Sequence, residues 1–493
     1  MLSFPGSRPR NGRGGLKTLV VGAGEAGRTL ARALRRSPSY GLVPIGFLDD
    51  ARGLVRAVGL PVLGPISALP EIARTMQADA CVVAIPSLPA RRVAGIAETA
   101  RACGLHVRFL PSFLAAMERD ARVSDLRQIR VGDLLGRREL HVVSEKAAAL
   151  ISGRRVLVTG AGGSIGSELC RQINGFGPEA LYLLDHDESN LHGLQLEITG
   201  SGLLDADEIV IADIRDERRI DQVFAAVRPE LVFHAAAHKH LPLLERHPCE
   251  AVKSNVHGTQ NVLEAAIRHG ISRFVLISTD KAADPTSVLG ASKRLAELVV
   301  QQAAGGPVTL ASVRFGNVLG SWGSFLHVLA DQIARAEPVT VTHPDVSRFF
   351  MTVEEAVGLV LEAAAMAEYA ETFVLDMGEP VQIVDLVRNY AEQLKLPDVE
   401  IRYTGLRPGE KLTEKVFSDA EERVPSVHPK IWATRRTQPP PDFPALLERL
   451  YAASHDGEST LVKELFQQLV PEYVPSRRQE TLVSAGAPYP DGF

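Results

Sequence analysis

Cysteine is scarce in this 493-residue chain. The four present, Cys81, Cys103, Cys170 and Cys249, stand far apart and form no CxxC pair. That excludes a disulfide framework and a thiolate zinc cage, and it suits a reducing compartment. Long apolar runs are missing too. None reaches the roughly 18 residues needed to span a bilayer, and the opening MLSFPGSRPRNGRGG lacks the apolar core of a signal peptide. Basic charge is not in excess: Lys plus Arg is 54 against 59 for Asp plus Glu, a net charge of −5, which excludes a general nucleic-acid binder. The expectation is a cytoplasmic protein with no transmembrane segment in this chain and no nucleic-acid partner. What is present is ordinary globular material, 45% hydrophobic and 23% charged. The length suggests about three domains at roughly 150 residues each.

Strands alternate with helical stretches along most of the chain. LKTLVV, GAGEAG and RTLARALRR read as strand, turn and helix, and RRVLVTGAGGSIGSELCRQI starts the same pattern again at Arg154. Such alternation produces right-handed βαβ units and a parallel sheet. The expected fold is α/β, with two Rossmann-like doubly wound parallel-sheet domains. The second carries a small mixed C-terminal substrate lobe. The expected boundaries are a flexible tail over 1–15, a nucleotide-binding-like domain over 16–143, a linker over 144–153, and a catalytic domain over 154–435 with its lobe from about residue 318. A Pro-rich linker, short helices and a polar tail fill 436–493.

The second glycine-rich turn runs from Gly160 to Gly166, with Gly160, Gly163 and Gly166 in GxxGxxG spacing and Ser164 and Ile165 opening the helix. Glycines permit a tight turn and let backbone N–H groups approach a pyrophosphate at a helix N-terminus. Asp185 ends the next strand, where a carboxylate accepts hydrogen bonds from both ribose hydroxyls of NAD and repels a 2′-phosphate. Asp213, followed by Ile214, ends the third strand and is placed to reach an adenine. Ala235 and Ala236 supply small residues beside a cofactor after the fourth. NAD is the expected cofactor, with NADP left open by basic neighbours such as Arg215. The first domain carries GxGxxG as Gly22, Gly24 and Gly27 with Asp49 downstream. It has no catalytic group, and a degenerate nucleotide fold serving assembly or regulation is favoured over a second nucleotide site. His238 and His240 flank Lys239, but nothing further completes a metal site, so no metal is expected.

The segments VLVTGAGGSIGSEL, FHAAAHKHLPLLE, AVKSNVHGTQNVLEAA, STDKAADPTSVLGASKRLAE, VRFGNVLGS, VTVTHPDVSRFFMT and GLRPGEKLTE carry a resemblance. Across roughly residues 16–430 the chain resembles the extended short-chain dehydrogenase/reductases. More closely it is similar to the CapD-like polysaccharide-biosynthesis proteins, the UDP-N-acetylglucosamine 4,6-dehydratases. The resemblance implies NAD, a UDP-sugar partner and a homo-oligomer. It implies conversion of the sugar to a 4-keto-6-deoxy product, by oxidation at C4, loss of water across C5 and C6, and return of hydride to C6. Lys293 matches the superfamily's catalytic lysine and also contacts the cofactor. Leu289 stands where that superfamily has tyrosine, so the C4 hydroxyl proton has to leave by Thr279, Asp280 or Lys293. A positively charged nicotinamide would lower the Lys293 pKa. Asp280 and Lys281 follow Thr279 at a strand end, with Lys281 implied as the C5 base and Asp280 as the acid at C6. The substrate contacts implied are Lys239, Asn255, Arg314, Asn317, Arg348, Arg407 and Glu410, arginine forks suiting diphosphate oxygens. Trp322 replaces an arginine of the family pattern. Two rival readings stand beside the dehydratase. One is a C4 epimerase or reductase on the same scaffold, against which Leu289 argues. The other is a catalytically silent NAD or sugar-nucleotide sensor.

Overall fold

In the computed structural model the described residues are 16–36, 42–51, 55–85, scattered positions over 92–100, then 102–109, 143–200, 206–319, 325–335, 337–393, 399–435 and 437–475. The expected tail over 1–15, Trp322 and the polar stretch 476–493 lie outside them. The chain forms two compact units, Met1–Arg130 and Val131–Phe493.

The first unit holds a six-stranded sheet. Its parallel strands run, in spatial order, Leu60–Gly64, Leu42–Leu48, Leu16–Val21, Ala80–Val83 and His106–Phe109, with the short Arg56–Ala57 antiparallel at the edge. Leu19, Val20, Val21, Cys81 and Val82 are fully buried. Strands that are apolar on both faces, as these are, belong in a covered parallel sheet.

The second unit is built on nine strands. From one edge they are Ile209–Ile211, Ala180–Asp185, Arg155–Thr159, Leu231–His234, Arg273–Ile277, Thr309–Arg314 and Ala370–Leu375, all parallel, followed by the antiparallel Ile431–Thr434 and Arg423–Pro425. Chain order reverses between Arg155–Thr159 and Leu231–His234. In doubly wound sheets the ligand crevice opens beyond the carboxyl ends at such a reversal. Pairing keeps those ends level, since Thr159 lies beside both Leu184 and His234, and Ile277 beside Val313. Two apolar layers cover the sheet. One is centred on Leu157, Phe224, Val232, Phe274 and Leu295, the other on Val156, Val158, Phe233, Val313 and Leu359.

Helix starts follow local chemistry. Asp187, Asp216, Ser287 and Thr352 each accept a hydrogen bond from a first-turn amide, at the heads of Glu188–Thr199, Glu217–Val227, Val288–Gln302 and Val353–Met366. The expected mixed lobe consists of three two-stranded pairings. Asn317–Leu319 runs parallel to Phe350–Thr352, Val339–Val341 parallel to Ile401–Tyr403, and Ser347–Arg348 antiparallel to Val381–Gln382. Residues 144–153, read from sequence as a linker, instead carry the helix Glu145–Ile151. It is capped by Ser144 and buries Ala147 and Ile151 in the second layer. No helix among the described residues is long and apolar enough to cross a membrane.

Candidate active site

Gly160 leaves the strand Arg155–Thr159 at φ +69°, and a side chain there would sit 2.5 Å from the Ala236 nitrogen. A Cβ on Gly166 would fall 1.9 Å from the Gly160 carbonyl oxygen. The turn therefore closes only with glycine at both positions. Gly163 caps the helix Ser164–Asn174, whose first-turn amides at Ile165 and Gly166 have no intrahelical acceptor, so that this end favours an anion. The Asp185 carboxylate is buried beside the turn. One oxygen accepts from the Gly162 amide at 2.9 Å and the other from the Asp187 amide at 3.1 Å. A dinucleotide fits this donor set: a cradle free of side chains for its phosphates, and one carboxylate at the ribose position.

The rest of the expected cofactor wall lies along the same strand ends. Ala235 donates to the Thr159 carbonyl, and Ala236 stands against Gly160. Asp213 is clasped by the Arg215 guanidinium, whose hydrogen bonds hold the carboxyl below its ordinary pKa. Ile214 is buried, and its carbonyl accepts from Asn261. His234, to which the sequence assigned no role of its own, is completely enclosed and bridges Thr159 (2.7 Å) and Thr259 (3.0 Å). Burial first, and the Lys293 charge second, push its pKa down to about 3, so it is a neutral strut.

Thr279, Asp280 and Lys281 come together as expected, at the end of Arg273–Ile277. The Thr279 hydroxyl donates to Asp280 Oδ1 at 2.9 Å, and Lys281 Nζ donates to that oxygen at 3.0 Å and to Asn317 Oδ1 at 3.2 Å. Asp280 is fully buried, whereas the Lys281 side chain keeps 18% exposure. Asp280 Oδ2 has no hydrogen-bond partner among the described residues, and a side chain on Gly316 would come within 2.7 Å of it. Burial opposes the Lys281 charge, but the Asp280 and Glu414 carboxylates outweigh it and raise its pKa. Lys281 therefore rests as an ammonium. Helix Val288–Gln302 begins against this turn, and a Cβ on Gly290 would strike the Lys281 carbonyl at 2.3 Å. That helix carries Lys293, whose pKa burial lowers to about 8 while Glu297 opposes. Burial therefore suffices to lower it, without the nicotinamide charge that the sequence reading invoked. Leu289, at the tyrosine position, is core.

The implied substrate residues divide. Arg348 Nη2 meets Glu410 Oε1 at 2.9 Å, the Arg407 amide donates to Glu410 Oε2, and the Arg407 side chain is exposed. Gly409 seats this loop on Ser287, with its carbonyl accepting from Thr286. Lys239 is exposed on the loop after Leu231–His234. Two expectations are corrected. Arg314 is fully buried, with all three guanidinium nitrogens bound to Glu297 and Glu421, so no fork remains for a diphosphate. Asn255 is buried in a π-helical turn, Val252–His257. Its amide clamps the His238 backbone at 2.8 and 3.1 Å and reaches Ser292. It braces the Lys239 loop instead of facing a ligand. Sequence carried no signal for either, because proximity to a motif does not reveal who already satisfies a polar group. Among the described residues no group of three or more His, Cys, Asp or Glu side chains is placed to hold a metal ion.

The family described as polysaccharide biosynthesis protein matches residues 156–436, and that described as CoA-binding domain matches residues 7–111. The probable polysaccharide biosynthesis protein EpsC of Bacillus subtilis (strain 168) is 38% identical over 456 residues, covering 91% of this chain and 76% of that protein. The capsular polysaccharide biosynthesis protein CapD of Staphylococcus aureus is 39% identical over 423 residues, covering 84% and 71% respectively. Among solved structures, Pen from Bacillus thuringiensis is 33% identical, with a TM-score of 0.53, covering 57% of this chain and 88% of that one.

Proposed function

Because this chain belongs to the polysaccharide biosynthesis protein family, we propose that it is a UDP-sugar 4,6-dehydratase acting on UDP-N-acetylglucosamine. The product is a 4-keto-6-deoxy sugar nucleotide. The observation that carries this reading is the Asp280–Lys281 pair, an acid and a base sharing one 3.0 Å hydrogen bond at the carboxyl end of the sheet. Gly160, Gly163, Ser164, Ile165, Gly166, Asp185, Asp213, Ile214, Ala235, Ala236 and Lys293 are the residues that would hold NAD. Bound there, NAD supplies a reversible hydride acceptor.

The chain's own part is to move protons. Leu289 cannot take one, and Lys293, whose pKa burial lowers to about 8, can accept the C4 hydroxyl proton only in its neutral form, which becomes the major form above about pH 8. Once C4 is a ketone, the C5 hydrogen is acidic. In the resting pair Lys281 is charged and cannot serve as a base. A sugar nucleotide that covers Lys281 removes water from a side chain only 18% exposed, and desolvation disfavours separated charges. Passing one proton from Lys281 to Asp280 then makes a neutral amine and a neutral carboxylic acid together. The amine removes the C5 proton and, as the ammonium it becomes, gives a proton back to C5 when C6 is reduced. Asp280 has no open surface, so its proton reaches the departing C6 hydroxyl through the Thr279 hydroxyl bound to it. Asn317 keeps Lys281 aimed, the exposed Lys239 and Arg407 serve the sugar nucleotide, and Arg348, bound to Glu410 and to the Ser347 and Leu412 carbonyls, holds the loop that carries Arg407.

Incubation with UDP-N-acetylglucosamine, read by mass spectrometry, is expected to yield a product one water lighter. Absence of water loss from that or any other UDP-sugar would favour a silent sensor. In Lys281→Ala, turnover is expected to fall by about 10²–10⁴, the usual contribution of a general base, with sugar-nucleotide affinity little changed. Undiminished elimination by that variant would remove Lys281 from the mechanism.

A further inference from the structure

Behind the reacting loop lies a buried ionic network. Glu297 stands one turn beyond Lys293 on Val288–Gln302 and is fully enclosed. Its Oε1 accepts from Ser278 Oγ at 2.6 Å and from Arg314 Nε at 2.8 Å; its Oε2 accepts from Arg314 Nη2 at 2.6 Å and from Arg294 Nη1 at 3.2 Å. Arg314 also binds Glu421, and Arg294 reaches Thr437 and Glu472. Two cations thus face three carboxylates. Arg314 already gives Glu297 two short bonds, and these do not depend on Ser278.

Ser278 is the telling member. It is 4% exposed, immediately precedes Thr279, Asp280 and Lys281, and has its amide bound to the Val313 carbonyl at 2.7 Å. Among the described residues, its hydroxyl makes the one side-chain hydrogen bond between this loop and the lysine helix's ion network. We infer that Ser278 and Glu297 are positioning residues, which lock the Thr279–Lys281 loop to the helix bearing Lys293 so that the groups acting at C4 and at C5–C6 hold a common geometry. This rests on the dehydratase reading. Neither residue touches substrate. Their effect is on alignment, and a displacement of about 1 Å in a reacting group can cost 10²-fold in rate.

The test measures kcat and KM for water elimination in Ser278→Ala, Ser278→Cys and Ser278→Thr, with amide hydrogen exchange over 278–283 in each protein. Ser278→Ala deletes one hydroxyl and leaves the Glu297–Arg314 pair intact, and Ser278→Cys nearly preserves volume with a weak donor in case the alanine variant is unstable. Both are expected to lose about ten- to a hundredfold in kcat with KM within about twofold, and to exchange faster across the loop. Ser278→Thr, which restores a hydroxyl, is expected to recover most of the rate. Wild-type kcat in the alanine and cysteine variants, or loop exchange unchanged in both, would overturn the inference. If the unmodified enzyme eliminates no water, the dehydratase reading fails instead, and hydrogen exchange still decides whether Ser278 holds the loop.

Discussion

His234 shows how much a buried side chain near a reaction centre can do without reacting. It joins two strands and the helix Gly258–Arg268 through Thr159 and Thr259, and its surroundings admit only the neutral ring. Its pKa lies near 3 in the folded protein against 6.5 ordinarily. Between those values the unfolded chain binds a proton that the folded one refuses. The stability it confers is complete above pH 6.5 and is lost as pH falls toward 3. Denaturant midpoints across that range should drop on acidification, and in His234→Gln the drop should be shallower. An identical slope in the variant would assign the acid sensitivity to other groups. Residues of this kind limit what a sequence discloses. The glycines and Asp185 were legible because their spacing is local. Arg314 was not, because its partners Glu297 and Glu421 lie 17 and 107 positions away, and only folding shows that its charge is already spent.

Whole elements repeat the point at larger separation. The helices Phe443–His455 and Ser459–Leu469 look, in sequence, like short amphipathic appendages behind a Pro-rich linker. In the fold they complete the layer beneath the lysine helix, burying Phe443, Leu450, Leu465, Phe466 and Leu469. That makes both helices part of the second unit's core. Phe466→Ala should cost about 3–5 kcal/mol, as large-to-small core changes do, measured by urea denaturation. The exposed Val474→Ser nearby should stay within about 0.5 kcal/mol. A small effect at Phe466 would mean that these helices are loosely held. The helix Glu145–Ile151 is the same lesson in miniature: residues 144–153 were expected as a linker, and a pair of bonds from Ser144 to Glu362 anchors the helix instead.

At the scale of the molecule, each unit owns a sheet and an apolar core, and the residues assigned to cofactor and catalysis all lie in Val131–Phe493. The fragment 131–493 is accordingly expected to fold with a cooperative thermal transition and to eliminate water from the UDP-sugar. Loss of folding in that fragment would show that the first unit supplies structural support. A side chain on Gly27 would strike the Gly22 carbonyl, as one on Gly166 would strike that of Gly160, and Asp49 accepts from the Ala23 amide as Asp185 does from that of Gly162. The first unit thus repeats the turn and its carboxylate.

The doubly wound class, the glycine turn, the carboxylate after the second strand and the Thr279–Lys281 cluster were all determined by sequence alone. Each depends on neighbours a few residues apart or on a short-range apolar rhythm, and such patterns survive without knowledge of the fold. Only the tertiary structure decided that Asp280 is sealed while Lys281 is partly open, that Lys281 rests protonated, that Arg314 and Asn255 serve the scaffold, and that the final helices belong to the core. Charge state and burial are properties of everything that surrounds a group, and those surroundings are assembled from distant parts of the chain.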